Sequence, residues 1–375
     1  MGSGTALSLA THAERCTSPQ SPVTSRSKSP VPIPEVMTRP SHHRPGGGFR
    51  NPWPTAAAHG QASVARWMWE RFVNGRPPDP PRGAFPRATP SFDGPRAEAT
   101  ATTITWIGHS SFLVQIGGAN VLVDPVLSER ASPVGFAGPR RWMPPGLALD
   151  ALPPIDVVLL SHNHYDHLDA PTLRLLARRD PRARWLAPLG VGALLRGLGA
   201  TDVVERDWWE EAEAAGLGFA CAPAQHFSAR GMGDRDATLW ASWSIAGGGR
   251  RIYFGGDSGY FPEYGEIARR HGPFDVAMLP VGAYEPRWFM RPVHMDPDEA
   301  VRAYRDLLAA SPAGWRTALV PMHWGTFKLT DEPMDEPPRR LRAAWEREGM
   351  RAGDLWILAH GETVRASDLR IASSE

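Results

Sequence analysis

A layered α/β fold is the architecture this sequence predicts, and three observations carry the prediction. From Thr102 onward, short β-branched and aromatic runs alternate with segments of helical periodicity, the pattern of sheets covered by helices. One such run, Asp156-Val157-Val158-Leu159-Leu160, feeds directly into Ser161-His162-Asn163-His164-Tyr165-Asp166-His167, so a strand ends on a dense set of metal-type donors. Further along, His226, Asp257 and His323 each follow an apolar run.

Taken in order, residues 1–50 are rich in Ser, Pro, Thr, Arg and Gly and nearly lack large apolar side chains. Such a segment cannot bury enough surface to offset its ordering entropy and is expected to be disordered. Residues 51–100 are expected to hold one helix over 61–74, with Val64, Trp67, Met68 and Phe72 at helical spacing, and a proline-rich connector over 77–95. That helical stripe is either a face packed on the main domain or a lipid anchor. The main domain occupies 101–375. It opens as a meander over 103–107, 111–116 and 120–124, with Gly117-Gly118 as the hairpin turn. Residues 127–152 read as a long loop, and loops of that length in compact domains are usually functional. After the strand 156–160 come a helix at 170–179, a strand at 183–187, a short helix at 190–198, and strands at 202–206, 217–223, 238–245 and 250–255. Helices follow at 261–271, 296–309 and 336–348, with strands at 275–280, 316–321 and 354–358.

The chemistry starts at the end of strand 156–160. Side chains alternate along a strand, so His162 and His164 face the same way, and Asp166 and His167 follow on the loop. Imidazole with carboxylate suits zinc or a similar first-row metal. A two-metal site needs more donors than these four. His226 follows 219–224, Asp257 follows 251–254 and two glycines, and His323 follows 318–322. A lone strand-end histidine is more often a packing or surface residue, and each of these three donors alone is a weak signal.

The pattern H-x-H-x-D-H after an apolar strand resembles the signature of the metallo-β-lactamase superfamily. The resemblance implies an αββα sandwich, two mixed β-sheets flanked by helices, with the N-terminal segment as an extension. It implies one metal held by His162, His164 and His226, a second by Asp166, His167 and His323, and Asp257 bridging both. Two Zn2+ per chain are the expected cofactors, although such sites also accept iron or manganese. Longer blocks are more discriminating: Ala222-Pro223-Ala224-Gln225-His226-Phe227, Phe254-Gly255-Gly256-Asp257-Ser258-Gly259-Tyr260, Gly282-Ala283-Tyr284-Glu285-Pro286-Arg287-Trp288-Phe289-Met290, His294-Met295-Asp296-Pro297 and His323-Trp324-Gly325-Thr326-Phe327. These resemble the N-acylphosphatidylethanolamine-hydrolysing phospholipase D family, with Asn51-Pro52-Trp53-Pro54-Thr55 and His360-Gly361-Glu362 extending the likeness.

That family's reaction cleaves the phosphodiester of an N-acylated ethanolamine phospholipid to phosphatidate and an N-acylethanolamine. The resemblance implies metals on the phosphate oxygens while a bridging hydroxide attacks phosphorus. Asp166 would serve as ligand and catalytic base together. His294 either donates a proton to the leaving alkoxide or hydrogen-bonds the phosphate; its structural alternative is a cap on the helix starting at Asp296-Pro297. Tyr284, Arg287 and Trp288 would bind substrate, with Arg287 pairing either with phosphate or with Glu285. His360 reads as a supporting residue, and His109 as a packing residue or one near the site. A metal-dependent lactonase or other ester hydrolase on the same fold competes with this reading, as does a non-catalytic metal-stabilised binding protein.

Composition narrows the partners. Lys+Arg 41 against Asp+Glu 40 leaves a net charge of +1, no basis for long-range attraction to nucleic acid, and no basic arm is present. Cys16 and Cys221 stand far apart and make no disulfide framework, so a reduced compartment is expected. No apolar run approaches the ~18–20 residues a bilayer span needs, and the start lacks a signal-peptide pattern. A cytoplasmic location is expected, with peripheral membrane contact by Trp67, Trp69, Phe72, Trp142 and Met143 left open. Oligomeric state is not written in any motif.

Overall fold

In a computed structural model of the chain, residues 1, 40–53, 61–231 and 233–368 are described. The disorder expected for 1–50 therefore falls mostly outside the described residues, as do Cys16, Pro54 and Thr55. Residues 40–50 depart from that expectation. They form a tight turn closed by a His43–Phe49 bridge, with His42 and Phe49 buried. Polar composition misled here because the anchors are two histidines and one phenylalanine rather than an aliphatic run.

The strands are Thr103–Gly108 (β1), Ser111–Ile116 (β2), Ala119–Val123 (β3), Val157–Leu159 (β4), Arg184–Pro188 (β5), Asp202–Arg206 (β6), Glu211–Ala214 (β7), Leu217–Ala222 (β8), Ser242–Gly247 (β9), Arg250–Phe254 (β10), Val276–Pro280 (β11), Ala318–Met322 (β12) and Thr363–Arg365 (β13). The helices are Gln61–Asn74 (α1), Ala170–Arg179 (α2), Gly192–Gly197 (α3), Tyr264–His271 (α4), Arg287–Met290 (α5), Pro297–Ala309 (α6) and Glu336–Arg347 (α7). One sheet runs β13-β1-β2-β3-β4-β5-β6 and the other β12-β11-β10-β9-β8-β7. Both are mixed: β1 to β3 pair antiparallel and β3 to β6 parallel, while β7 to β10 pair antiparallel and β10 to β12 parallel.

Alternation explains the layers. On β2 to β4, Phe112, Val114, Val121, Val123, Val157 and Leu159 face the second sheet and share a core with Phe219, Cys221, Trp243 and Ile245. Their neighbours Leu113, Leu122 and Val158 face the other way, onto Leu173 and Leu176 of α2 and Leu195 of α3. On the far side α6 packs beside α4 and α7 against the second sheet, burying Val301, Tyr304 and Leu307 with Leu341 and Trp345. The result is helix, sheet, sheet, helix.

Several boundaries differ from the expectation. The sequence marks no strand at β7 or β13, since EAEA and TVR are short and half-polar; their pairing comes from neighbouring strands. The apolar run 354–358 is a 3-10 turn at Ala352–Asp354 and an extended stretch with one bridge, Leu355 to Leu319. The expected strand 238–245 starts later, at Ser242. Leu239, Trp240 and Ala241 are buried loop residues whose apolarity mimics a strand. The helix expected from 261 starts at Tyr264.

Candidate metal centre

Five strand ends converge on one point between the sheets. β1 delivers His109, β4 delivers the SHNHYDH stretch, β8 leads to His226, β10 to Asp257 and β12 to His323. Left-handed backbone turns the side chains inward at His109 (φ 54) and His323 (φ 64), a conformation that costs a non-glycine residue about 1–3 kcal/mol and clusters at functional sites. The two turns brace each other, since the His323 N–H donates to the His109 carbonyl at 3.1 Å. Gly256 (φ 58) is required for a different reason: a Cβ there would lie 2.7 Å from the Ala241 carbonyl.

The donor atoms form two groups. His162 Nε2 lies 2.8 Å from His164 Nδ1, which lies 3.2 Å from His226 Nε2, and Asp257 completes this set. Asp166, His167 and His323 form the second set, joined by His109. A single oxygen faces both: Asp257 Oδ2 lies 3.0 Å from His323 Nε2, 3.2 Å from His167 Nε2 and 3.7 Å from His226 Nε2. All seven residues expected to hold metal are thus brought together, in the expected grouping. The donor set fits divalent cations. His323 Nδ1 and Asp257 Oδ1 are buried with no hydrogen-bond partner, and His167 Nε2 and His323 Nε2 face only carboxylate oxygen; polar atoms so placed are costly unless something binds them.

Two further residues reach the centre: His109, which the sequence leaves between packing and the site, and Asp124, to which it gives no role. His109 Nε2 lies 3.0 Å from Asp166 Oδ2, and its ring sits 4.0 Å from that of His323. Asp124, at the end of β3, is fully buried, with Oδ2 2.7 Å from His167 Nδ1 and 2.5 Å from Ser161 Oγ, while Oδ1 accepts the Ser161 N–H at 2.7 Å. It fixes both the tautomer of His167 and the start of the SHNHYDH loop. The available signal was that Asp124 closes an apolar run, as Asp257 does. Orienting carboxylates of this kind typically govern 10–100-fold in metal affinity. Asp124→Ala is therefore expected to weaken metal binding by about that factor, read by competition with a chromophoric chelator. Unchanged affinity would mean His167 is oriented without it.

Burial drives every imidazole here toward the neutral form. It leaves His162 well below its ordinary value, His164 at about 3 and His226 at about 4. At His167 and His323 burial pulls the same way, but the Asp257 and Asp166 carboxylates outweigh it, lifting His167 well above its usual range and His323 to about 9. Asp166 and Asp257, pushed up by burial, are nevertheless held well below the carboxylate range by the charge on His167. Without metal, His167 and His323 therefore carry protons at pH 7, and a cation must displace them. Loading is expected to release about two protons per chain, with affinity weakening as pH falls from 9, because the protonated forms compete. Calorimetry in buffers of different ionisation enthalpy counts those protons; zero release would contradict the assignment.

His294 also reaches the centre. Its Nδ1 lies 4.0 Å from Asp257 Oδ2, buried and without a hydrogen-bond partner, and its ring lies 5.0 Å from that of His226. It does not cap α6; the Asp296 carboxylate does, accepting the Glu299 N–H at 2.8 Å. The three residues expected on substrate are placed differently. Tyr284 is fully buried, its hydroxyl donating to Glu336 at 2.6 Å, so it reaches a ligand only if that contact opens. Arg287 pairs with Glu299 at 2.6 Å and donates to the His294 carbonyl at 2.9 Å, leaving Glu285 to accept its backbone N–H. That arrangement makes Arg287 a brace for His294. Trp288 donates to Glu70 of α1 at 3.0 Å beneath the Arg66 guanidinium. Arg287 and Trp288 also line a cavity of about 450 Å3 with Gln225, the neighbour of His226. His360 supports the centre indirectly, 3.1 Å from the Thr326 hydroxyl that accepts the His109 N–H.

Of the candidate interface residues, Trp69 (66 % exposed) and Phe72 (82 %) face outward on α1 with Met68 and Val73. Met143 is buried, and Trp67 and Trp142 are tied to Asp331 and the Pro80 carbonyl. Among the described residues, no helix is long and apolar enough to cross a membrane.

A two-sheet sandwich with this His/Asp cluster at its strand ends defines a class. A family profile described as the beta-lactamase superfamily domain matches residues 119–324, a span from β3 through His323, and the chain belongs to that family. More particularly, it is 39% identical over 276 residues to the N-acyl-phosphatidylethanolamine-hydrolyzing phospholipase D 1 of Caenorhabditis elegans, covering 70% of this chain and 76% of that protein. It is 46% identical over 270 residues to an uncharacterized Mycobacterium tuberculosis protein, covering 72% of this chain and 70% of the relative. Among solved structures, a metallo hydrolase from Ignicoccus hospitalis shares the fold, with a TM-score of 0.53 and 24% identity over 71% of this chain and 98% of that one.

Proposed function

We propose that this metal-dependent hydrolase is a binuclear zinc phosphodiesterase that releases phosphatidate and an N-acylethanolamine from an N-acylphosphatidylethanolamine. The observation that carries the two-metal part is the placement of Asp257 Oδ2 within 3.0–3.7 Å of imidazoles from both donor groups. His162, His164 and His226 would hold one cation, Asp166, His167 and His323 the other, with Asp257 shared. Bound there, two divalent cations supply water activation at neutral pH and neutralise charge on a phosphodiester. The lipid part is supported by the 39% identity to the nematode enzyme and by the outward aromatic face of α1, suited to a lipid–water boundary.

The chain's own residues have distinct tasks in this reading. Asp166 Oδ2, anchored by His109, stands 3.4 Å from His323 Nε2 and would accept a proton from the attacking water. His294, whose burial keeps it well below its ordinary value, would hold the phosphate or the leaving oxygen through its unpartnered Nδ1. Arg287 positions His294 by gripping its carbonyl.

Mass analysis of products from mixed micelles tests the assignment. Phosphatidate and N-acylethanolamine in equal amounts are expected. Free fatty acid, or turnover confined to lactones, would overturn the phosphodiesterase reading and leave the fold and centre in place.

A further inference from the structure

A second cluster of metal-type donors lies outside the centre, and we propose that His42, His43 and Asp207 form an additional site for a divalent first-row cation, zinc foremost, that clasps the 40–50 turn to the end of β6. Both imidazoles converge on one carboxylate. His42 Nε2 lies 2.6 Å from Asp207 Oδ1, and His43 Nε2 lies 2.7 Å from Asp207 Oδ2. All three donor atoms fall within 4.8 Å of one another. His42 is buried, while His43 and Asp207 keep 16 % and 13 % of their side-chain surface, so solvent reaches the remaining coordination position. Two histidines and a carboxylate with a water is a familiar zinc environment.

The scaffold fixes these donors without needing the cation. The His42 ring stacks on Trp208 at 4.3 Å, and His43 sits edge-on to Phe49 at 5.0 Å. Arg44 pairs with Asp236 at 2.6 Å, and the Phe49 N–H donates to the Asp236 carbonyl at 2.8 Å. Gly48 (φ +74) passes so close that a Cβ would lie 2.6 Å from that carbonyl. Side chains held this way lose little entropy on binding. With metal–ligand bonds of ~2.0–2.1 Å, a tetrahedral edge is roughly 3.3 Å. The two N···O distances of 2.6 and 2.7 Å need to open by about 0.6–0.7 Å to reach that edge, within reach of a carboxylate rotation.

The site also bears on the centre. Eight residues beyond His43, just past the clasped turn, the Asn51 side-chain amide donates to the His226 carbonyl at 2.9 Å, so the chain leaving the turn reaches the backbone of a candidate ligand. The site itself does not rest on the proposed reaction.

Zinc bound to the full-length protein after stripping, reconstitution and gel filtration tests it. His43→Ala and the isosteric Asp207→Asn are each expected to bind one zinc fewer per chain than the unmutated protein. In a His162→Ala/His167→Ala/Asp257→Ala background, which breaks both central donor groups, one zinc is expected to persist and to vanish on adding Asp207→Asn. Cobalt(II) in place of zinc should show visible absorption in that background, lost with Asp207→Asn. Equal zinc counts with and without Asp207→Asn would overturn the proposal and reduce the cluster to a hydrogen-bonded contact. Because the comparison is made with the central ligands present and removed, failure of the central assignment does not masquerade as failure of this one.

Discussion

Asp257→Asn is expected to lower kcat/KM by about three orders of magnitude or more, since losing ~4 kcal/mol of transition-state stabilisation costs that factor. Asparagine keeps the shape and removes the charge. That charge faces His323, His167 and His226 within 3.0–3.7 Å, and among the described residues no other carboxylate joins both donor groups. In the proposed two-metal centre, two cations so close together would repel each other, and a shared anion would let both stay. The variant should therefore lose bound metal as well as activity. It should also lose the elevated protonation of His167 and His323, because the Asp257 charge is the leading force raising both against burial. Metal analysis beside steady-state kinetics reads both effects. Activity within tenfold of the parent, with metal retained, would mean the centre does not depend on a shared carboxylate.

Trp243→Ala is expected to cost about 3–5 kcal/mol of stability, the usual range for emptying a buried aromatic site. Trp243 lies on β9, fully buried between the sheets, and its Nε1–H donates to the Leu160 carbonyl at 2.9 Å. Leu160 immediately precedes Ser161, so one side chain both fills the core and pins the base of the donor loop. Trp243→Phe keeps most of the apolar volume and loses the hydrogen bond, for an expected cost of about 1–2 kcal/mol including the buried carbonyl. Denaturant titration of metal-free protein measures both. A loss below about 1 kcal/mol for alanine would place the anchor of the loop elsewhere.

Much of this was legible in the residues because strands buried on both faces write themselves as short apolar runs, and the donors sit where those runs stop. Val157-Val158-Leu159-Leu160 before SHNHYDH, and Ala318 to Met322 before His323, are the clearest cases. Elements held by their neighbours were not legible: β7 alternates Glu with buried Ala over only four residues and β13 has only three, too little to mark a strand without the edges that β8 and β1 offer. Asp124 and His109 were underweighted because a lone acid or histidine at a strand end has no local signature; only the convergence of β1, β3 and β12 gives them roles. Arg287 shows the opposite limit. Its motif leaves phosphate and Glu285 equally open as partners, whereas Glu299 and the His294 carbonyl hold the guanidinium and Glu285 accepts only the backbone N–H.

The most direct test of the two-metal account is hydrolysis of N-acylphosphatidylethanolamine followed while zinc is titrated into stripped protein, with Asp207→Asn in place so that only the central donors count. The account predicts negligible phosphatidate from the stripped protein, a rise that saturates at two equivalents, and no rise with His162→Ala. Full activity at one equivalent, or turnover that survives stripping, would contradict it.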